Sequence, residues 1–168
     1  ESPLLERLLL RLVALFDAVV VRGGKAAGFL AEHGIAREVA TIPGGVDLAA
    51  FPPSADPRPH DLIFVGRLVP AKGCDLLQEV VIRLVRHQVG IRAVVLGEGP
   101  LRQALAAAFR EAGIAESVVM LGQRNDVHAW VASSRIFLLT SPSEGLSIAL
   151  LEAMCAGCVP VVSDVGEL

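Results

Sequence analysis

A regular alternation of short valine-rich runs and longer amphipathic stretches, between residues 61 and 162, is the feature that most constrains this chain. We predict strands at Asp61–Val65, Arg92–Leu96, Val118–Leu121, Arg135–Leu139 and Val159–Val162, with helices at Gly73–Gln88, Pro100–Ala112, Asp126–Ser133 and Leu146–Ala156. Successive strand–helix–strand units join parallel strands through right-handed crossovers. The expected fold class is therefore α/β, a Rossmann-like parallel sheet with helices on both faces.

A turn-rich segment precedes this alternation. Prolines recur at positions 43, 52, 53, 57 and 59, beside small and polar residues, and this composition is typical of an exposed linker. We therefore predict a domain boundary near residue 58. Upstream of it we expect helices at Leu4–Phe16 and Gly24–His33 and strands at Ala18–Val21 and Glu38–Ile42. Residues 1–57 are too few for a second Rossmann domain, so we interpret the chain as a piece of a longer protein.

Charge and composition exclude some classes of function. With 15 basic and 18 acidic residues the formal net charge is −3, which gives no general attraction to nucleic acid. Three cysteines without framework spacing fit a reducing cytoplasm. The apolar stretch Leu8–Val21 is too short and too charged to span a membrane. We expect a cytoplasmic protein and leave open a peripheral contact with the inner face of the membrane.

The loop after the first strand of the alternation, Gly66 to Gly73, carries two cations. Arg67 can bind phosphate oxygens through two parallel hydrogen bonds, whereas Lys72 offers a mobile point charge. The flanking glycines permit close backbone approach, and a helix beginning near Gly73 adds positive potential. We favour an anion site over two solvated loop cations.

Two further loops follow predicted strands. Gly97-Glu98-Gly99-Pro100 would let a nucleotide lie against the backbone, although an ordinary turn explains it equally well. The backbone around Gln123 and Arg124 could meet the edge of a base. Asp126, which follows them, is better explained as the N-cap of the next helix.

The segment from Glu144 to Glu152 is the hardest to explain without a ligand. The predicted helix from Leu146 to Cys155 is apolar on nearly every side, so we expect it to be buried. A carboxylate inside it is unfavourable unless its oxygens are satisfied, and ribose hydroxyls would satisfy Glu152. Glu144 precedes the helix, near the amides of Gly145 to Ser147. The alternatives are that Glu144 interacts with the helix dipole and that Glu152 bonds to backbone.

Taken together, these motifs resemble the retaining GT-B glycosyltransferases of glycosyltransferase family four. The resemblance covers nearly the whole chain and is carried, in fixed order, by Ile42–Asp47 with Phe51, Phe64–Leu68 with Lys72-Gly73, Leu96–Pro100, Leu121-Gly122 and Ser141–Asp164. Within the last segment, Glu144 and Glu152 look like the family's E-x7-E motif. The combination is specific, whereas each piece alone is not.

The resemblance implies the transfer of a sugar from a nucleoside diphosphate sugar to an acceptor with retention of configuration, a hexosyltransferase type of reaction. Arg67 and Lys72 would neutralise the donor diphosphate, Glu144 would bind the sugar and Glu152 the ribose. The implied catalytic residues are Arg67, Lys72 and Glu144. The implied donor-binding residues are Gly66, Arg67, Lys72, Gly97, Gly99, Gln123, Arg124, Glu144, Gly145, Leu146, Ser147 and Glu152.

The same resemblance assigns the domains and the partners. Residues 1–57 would end an N-terminal acceptor-side domain and form the interdomain linker, and residues 58–168 would be a truncated nucleotide-sugar-binding domain of a GT-B two-domain fold. Apart from the donor substrate no cofactor is expected, and no metal, because Arg67 and Lys72 take its place and no DxD motif is present. The acceptor, whether glycan, lipid or small molecule, is not identified.

Two positions depart from the family pattern. Gly44 stands where the family usually has Asn, and Arg22 where it commonly has Ser. Two alternative functions stay open. One is a non-catalytic nucleotide-sugar-binding module, inactive without the missing N-terminal domain. The other is an unrelated Rossmann nucleotide-binding enzyme, disfavoured because no GxGxxG follows the first strand of the alternation.

Overall fold

A computed structural model describes residues 3–35, 38–51 and 58–166 of the chain. These residues form two compact units that divide between Gly45 and Val46. The assignment of residues 1–57 to an acceptor-side domain and linker stays a prediction, and residues 52–57 of that linker lie outside the described residues. Among the residues described, no helix has the length and apolar character needed to cross a membrane.

The described residues of the first unit form two helices and two short strands. Its elements are α1 (Pro3–Val13), β1 (Ala18–Val21), α2 (Gly24–Glu32) and β2 (Glu38–Thr41). The two strands pair in parallel, as a strand–helix–strand unit requires. The predicted elements are all present, with helix and strand ends that differ by a few residues.

The second unit contains a five-stranded parallel sheet. Its elements are β3 (His60–Val65), α3 (Cys74–His87), β4 (Ala93–Leu96), α4 (Arg102–Glu111), β5 (Val118–Gly122), α5 (Val127–Ala132), β6 (Ser134–Leu139), α6 (Ile148–Cys155) and β7 (Val159–Val162). The strand order is β5-β4-β3-β6-β7, and every pair is parallel. The order reverses between β3 and β6, which makes the crevice between their carboxyl ends a topological switch point.

Each face of this sheet carries its own apolar core. On one face Phe64 and Val95 pack with Leu77 of α3 and Phe109 of α4. On the other face the cluster is formed by Ile63, Val94, Val131, Phe137, Leu139, Leu150, Ala153, Ala156 and Cys158. Alternate residues of the central strand therefore point to opposite cores, which explains the continuous apolar runs seen in the sequence.

Arg58 fixes the end of α6. Its Nη2 donates to the carbonyl of Ala156 at 2.8 Å, and its Nη1 donates to Gly157 at 2.8 Å and to Ser134 at 2.9 Å. These carbonyls include ones at a helix C-terminus, where a cation is favourable. The contacts tie the start of the sheet domain to α6 and β6.

Two helices begin two residues later than predicted. α4 starts at Arg102, so Pro100 is not the first helical residue that we expected. The reason is tertiary: the Leu68 amide donates to the Glu98 carbonyl at 2.8 Å, and the Leu101 amide donates to the Leu68 carbonyl at 3.1 Å. These bonds hold the loop after β4 against the loop after β3 in a non-helical conformation.

α6 starts at Ile148, two residues after the predicted start at Leu146. Ser147 is the N-cap residue, and its Oγ accepts from the Leu150 amide at 3.3 Å. The expectation that this helix is buried all round is also wrong, because Met154 is 52% exposed. α6 lies on one face of the sheet near edge strand β7, so only the side facing the sheet is covered.

Candidate functional site

The candidate site lies at the carboxyl ends of the central strands. The loop after β3 carries Arg67 and Lys72, and the loop after β6 carries Glu144. Because β3 and β6 are neighbours in the sheet, these loops meet at the switch point. Parallel sheets bind their ligands in this crevice.

The structure joins Lys72 directly to Glu144. The Lys72 Nζ donates to Glu144 Oε1, and the Ser141 Oγ donates to the same oxygen at 2.6 Å. The side chains are 23% exposed for Lys72 and 9% for Glu144. A carboxylate so shielded from water is favourable only with such partners. The pair brings together two residues that the sequence assigned to the diphosphate and to the sugar.

Thr140 holds the backbone that carries Lys72. Its Oγ1 lies 3.1 Å from the carbonyl oxygen of Lys72 and 2.9 Å from that of Gly73. Gly73 has φ +62°, and a Cβ built there would lie 1.9 Å from the Thr140 carbonyl oxygen. Only glycine fits this position, because both the conformation and the close approach exclude a side chain.

A cleft of about 520 Å³ opens at the ends of β3, β4 and β5. Six predicted donor-binding residues line it: Gly66, Arg67, Gly97, Gly99, Gln123 and Arg124. A Cβ at Gly97, with φ +148°, would lie 1.8 Å from the Gly66 carbonyl oxygen, so close strand-end packing requires this glycine. The other predicted donor-binding residues do not line this cleft. They are Lys72, Glu144, Gly145, Leu146, Ser147 and Glu152.

Arg67 and Arg124 differ in their availability. Arg67 is exposed, and its guanidinium makes no hydrogen bond or ion pair with any residue of the described ranges. Arg124 is occupied: its Nε and Nη2 each lie 2.6 Å from an Asp126 carboxylate oxygen, and its guanidinium lies 5.7 Å from the centre of the Trp130 ring. Of these two arginines, Arg67 is therefore the one with free donors for an anion.

Asp126 occupies the N-cap position of α5 but does not cap it with its side chain. The side-chain capping we expected is thus wrong. The carboxylate instead takes the bidentate contact from Arg124, and this hydrogen bonding lowers the pKa of Asp126 to about 2. The Arg124–Asp126 pair lies within the loop after β5, and Gln123 and Arg124 of this loop line the cleft.

Glu152 lies half-buried on α6, and within the described part of the chain its carboxylate has no hydrogen-bonding or ionic partner. The structure therefore contradicts the alternative that the Glu152 carboxylate bonds to backbone. Burial raises the pKa of Glu152, because desolvation disfavours the charged form. A half-buried carboxylate without a protein partner is suited to accept hydrogen bonds from a ligand.

Glu152→Gln is expected to stabilise the ligand-free chain at neutral pH. Because burial raises the pKa of Glu152 in the folded state, this carboxyl group makes its full contribution to stability below its unfolded-state pKa. That contribution is lost as the pH rises through the folded-state pKa. The gain in the free energy of unfolding should therefore grow between about pH 4 and pH 7 and stay below about 1 kcal/mol. Urea unfolding at both pH values measures it, with exposed Glu116→Gln as control. A gain that is equal at both pH values, or shared by the control, would contradict the account.

The residues between the two glutamates are placed as follows. Gly145 is exposed, Leu146 is half-buried and Ser147 is buried as the cap of α6. The Ser147 hydroxyl therefore has a structural role. Whether the backbone of these residues lines a sugar stays a prediction.

Sequence reasoning assigned no role of their own to three residues at the site. Thr140 and Ser141 hold Lys72 and Glu144, and Glu98 lines the cleft beside Gly97. The signal for the first two was their position at the carboxyl end of β6. They differ from surface polar residues in being 4% and 0% exposed, which the sequence does not reveal.

The described residues hold no cluster of three or more His, Cys, Asp and Glu that could bind a metal ion. Metal independence itself stays a prediction, because it concerns the bound donor.

Comparison with known proteins places the chain among transferases. Residues 59–168 match the family described as "Glycosyl transferases group 1". The chain is 35% identical, over 77% of its length, to a phosphatidylinositol N-acetylglucosaminyltransferase subunit from Arabidopsis thaliana, of which the match covers 30%. It is 28% identical, over 94% of its length, to D-inositol 3-phosphate glycosyltransferase of Segniliparus rotundus, of which the match covers 39%. The chain thus spans about a third of the length of these relatives.

The fold is that of a solved structure, Anabaena Alr3699/HepE in complex with UDP and glucose. The TM-score is 0.80 at 19% sequence identity, and the likeness covers 99% of this chain and 50% of that one. This likeness confirms the predicted fold class, a Rossmann-like parallel sheet of the GT-B type.

Proposed function

The chain belongs to the glycosyl transferases group 1, and from that premise we propose that it carries the donor-binding part of an enzyme that transfers a sugar from a nucleoside diphosphate sugar to an acceptor. Family membership removes the unrelated Rossmann enzyme as an alternative. The donor class is also supported by relatives whose names describe glycosyl transfer and by a structural neighbour that holds UDP and glucose.

The contact between Lys72 and Glu144 carries the proposal. It brings the cationic loop after β3 and the acidic loop after β6 into one site, although the two residues lie far apart in the sequence. A diphosphate needs cations and amide donors, and a sugar needs acceptors for its hydroxyls. At the switch point, Lys72 provides a cation and Glu144 provides an acceptor, and the two side chains are in contact.

The chemistry follows from charge. As the bond between sugar and diphosphate breaks, negative charge grows on the departing nucleotide. Arg67, which has free donors, and Lys72, which has three N–H donors and gives one to Glu144, would stabilise that charge. Lys72 is held by Glu144 before the reaction, so its charge acts with little reorganisation. Glu152 would accept hydrogen bonds from the ribose.

The finer parts of the proposal rest on the resemblance of Glu144 and Glu152 to E-x7-E. They are transfer with retention of configuration, membership of family four and a hexosyl donor. Independence from metal is proposed because Arg67 and Lys72 supply the positive charge. A cytoplasmic location is proposed from the three cysteines without framework spacing.

Titration of the chain with UDP-glucose, UDP-N-acetylglucosamine, GDP-mannose and ADP-glucose tests the proposal. We expect one base to be preferred, with binding unchanged by EDTA. Glu152→Ala should weaken that binding by about tenfold, the equivalent of about 1.4 kcal/mol for the lost ribose contact. Isothermal calorimetry provides the dissociation constants.

Glu116→Ala serves as the matched control, since Glu116 is an exposed carboxylate of the same unit, and it should leave binding unchanged. Failure of every nucleotide sugar to bind would overturn the proposed function. Loss of binding with EDTA would overturn metal independence alone. Donor binding without sugar transfer, when the chain is joined to the acceptor-side part of a full-length relative, would favour the non-catalytic module.

A further inference from the structure

We propose that Ser141 is a positioning residue for the donor sugar, acting through Glu144, and that Thr140 does the same for the cationic loop. The two consecutive residues at the end of β6 would thus fix the sugar-binding and phosphate-binding halves of the site. This inference rests on the proposed function and deepens it.

The first observation is the set of hydrogen-bond donors that contact the Glu144 carboxylate. A carboxylate only accepts hydrogen bonds, so both Lys72 and Ser141 must donate to it. Both donate to the same atom, Oε1. Oε2 receives no hydrogen bond from the described residues, which leaves it to accept from a sugar hydroxyl.

Two donors on one oxygen also fix its orientation. A single contact with Lys72, whose side chain is long and flexible, would let the carboxylate rotate and exchange its oxygens. The Ser141 hydroxyl is fully buried and sits on a strand end, so it is a rigid donor at 2.6 Å. Ser141 therefore determines which oxygen of Glu144 is internal and which is offered to a ligand.

Thr140 acts on the other side of the same site. Its Oγ1 lies within hydrogen-bond distance of the carbonyls of Lys72 and Gly73, so it sets the start of the Lys72 side chain. Since β6 adjoins β3 in the sheet, one dipeptide reaches both loops. The two charged groups are thereby fixed relative to each other before a donor binds.

Ser141→Ala tests the inference, with titration of the preferred nucleotide sugar and of its nucleoside diphosphate without the sugar. We expect the dissociation constant of the nucleotide sugar to rise about fivefold to tenfold. That of the nucleoside diphosphate should change by less than about twofold, because the removed hydroxyl bonds to Glu144 and to no other described residue. Ser143→Ala, at an exposed serine of the same loop, is the matched control and should change neither.

A double-mutant cycle separates positioning from a merely structural role. In a Glu144→Gln background, Ser141→Ala should add less than about twofold to the loss in nucleotide-sugar binding, because the two residues act as a unit. Where Ser141→Ala unfolds too readily to be titrated, Ser141→Cys replaces it, with the same difference between ligands expected at smaller size.

The outcomes distinguish the inference from the function on which it rests. Equal weakening of both ligands, or additive losses in the cycle, would overturn the positioning role while leaving the proposed function intact. If the unmodified chain binds neither ligand, the proposed function fails and this inference fails with it.

Discussion

Gly73→Ala is expected to lower the free energy of unfolding by about 3–5 kcal/mol, a large share of the stability of a typical domain. About 1–2 kcal/mol comes from placing a Cβ at positive φ. The remainder comes from overpacking, because that Cβ would lie 1.9 Å from the Thr140 carbonyl oxygen and the backbone must move to relieve the clash. Urea unfolding measures the loss.

Gly113→Ala is the matched control. Gly113 has φ +73°, close to the +62° of Gly73, but nothing lies within 4 Å of its Cβ position. It should therefore lose only the conformational contribution of about 1–2 kcal/mol. Equal losses at the two glycines would mean that the contact between the β3 and β6 loops is looser than the structure has it.

Lys72→Ala is expected to weaken nucleotide-sugar binding by about tenfold to a hundredfold. The variant removes a charged hydrogen bond to the diphosphate, worth about 1.5–3 kcal/mol. It also leaves Glu144, 9% exposed, without its cation, so the unfolding midpoint should fall as well. Calorimetric titration and urea unfolding on the same preparation separate the two effects.

The chain makes this test unusually clean because Lys25 and Lys72 are its two lysines. Lys25→Ala, at an exposed lysine of the first unit, should change neither binding nor stability. In the unmodified chain, donor should protect Lys72 but not Lys25 from an amine-reactive reagent. Equal protection of both lysines would contradict the site.

Adding Glu144→Gln to Lys72→Ala distinguishes the two roles of the lysine. The double variant no longer carries an uncompensated carboxylate, so part of the lost stability should return. Binding should not return, because the phosphate still lacks its cation. Recovery of binding in the double variant would show that Lys72 serves only to neutralise Glu144.

Local patterns predicted the elements of the sheet well. Val-rich runs marked β1 and β7 at the residues they occupy and β4 within one residue of its start, and an apolar run without valine marked β6 within one residue of its start. For β4, whose four residues are all buried, this works because a strand covered on both faces must be apolar at successive positions. The loop with Arg67 and Lys72 and the pair of glutamates were chosen because charged residues beside glycines at strand ends have few structural explanations, and their role in binding a donor stays a prediction.

Patterns failed where a particular hydrogen bond, from a distant loop or from a nearby side chain, set the local conformation. α4 begins at Arg102 because the loops after β3 and β4 bond to each other. The carboxylate of Asp126 leaves its cap for Arg124, since two charge-assisted bonds are stronger than one bond to an amide. No periodicity within either segment carries that information.

The sequence by itself determined the fold class, the order of strands and helices along the chain, and the residue types available for a donor. Only the tertiary structure decided which of them meet. Alternation along the chain is the same for any strand order, but placing β6 beside β3 brings Lys72 to Glu144, while Arg67 and Glu152 have no side-chain partner among the described residues. The physical reason is that strand order depends on how helices cover the two apolar faces of the sheet, which is a property of the whole fold. The site forms where that order reverses, so local sequence does not specify which loops meet there.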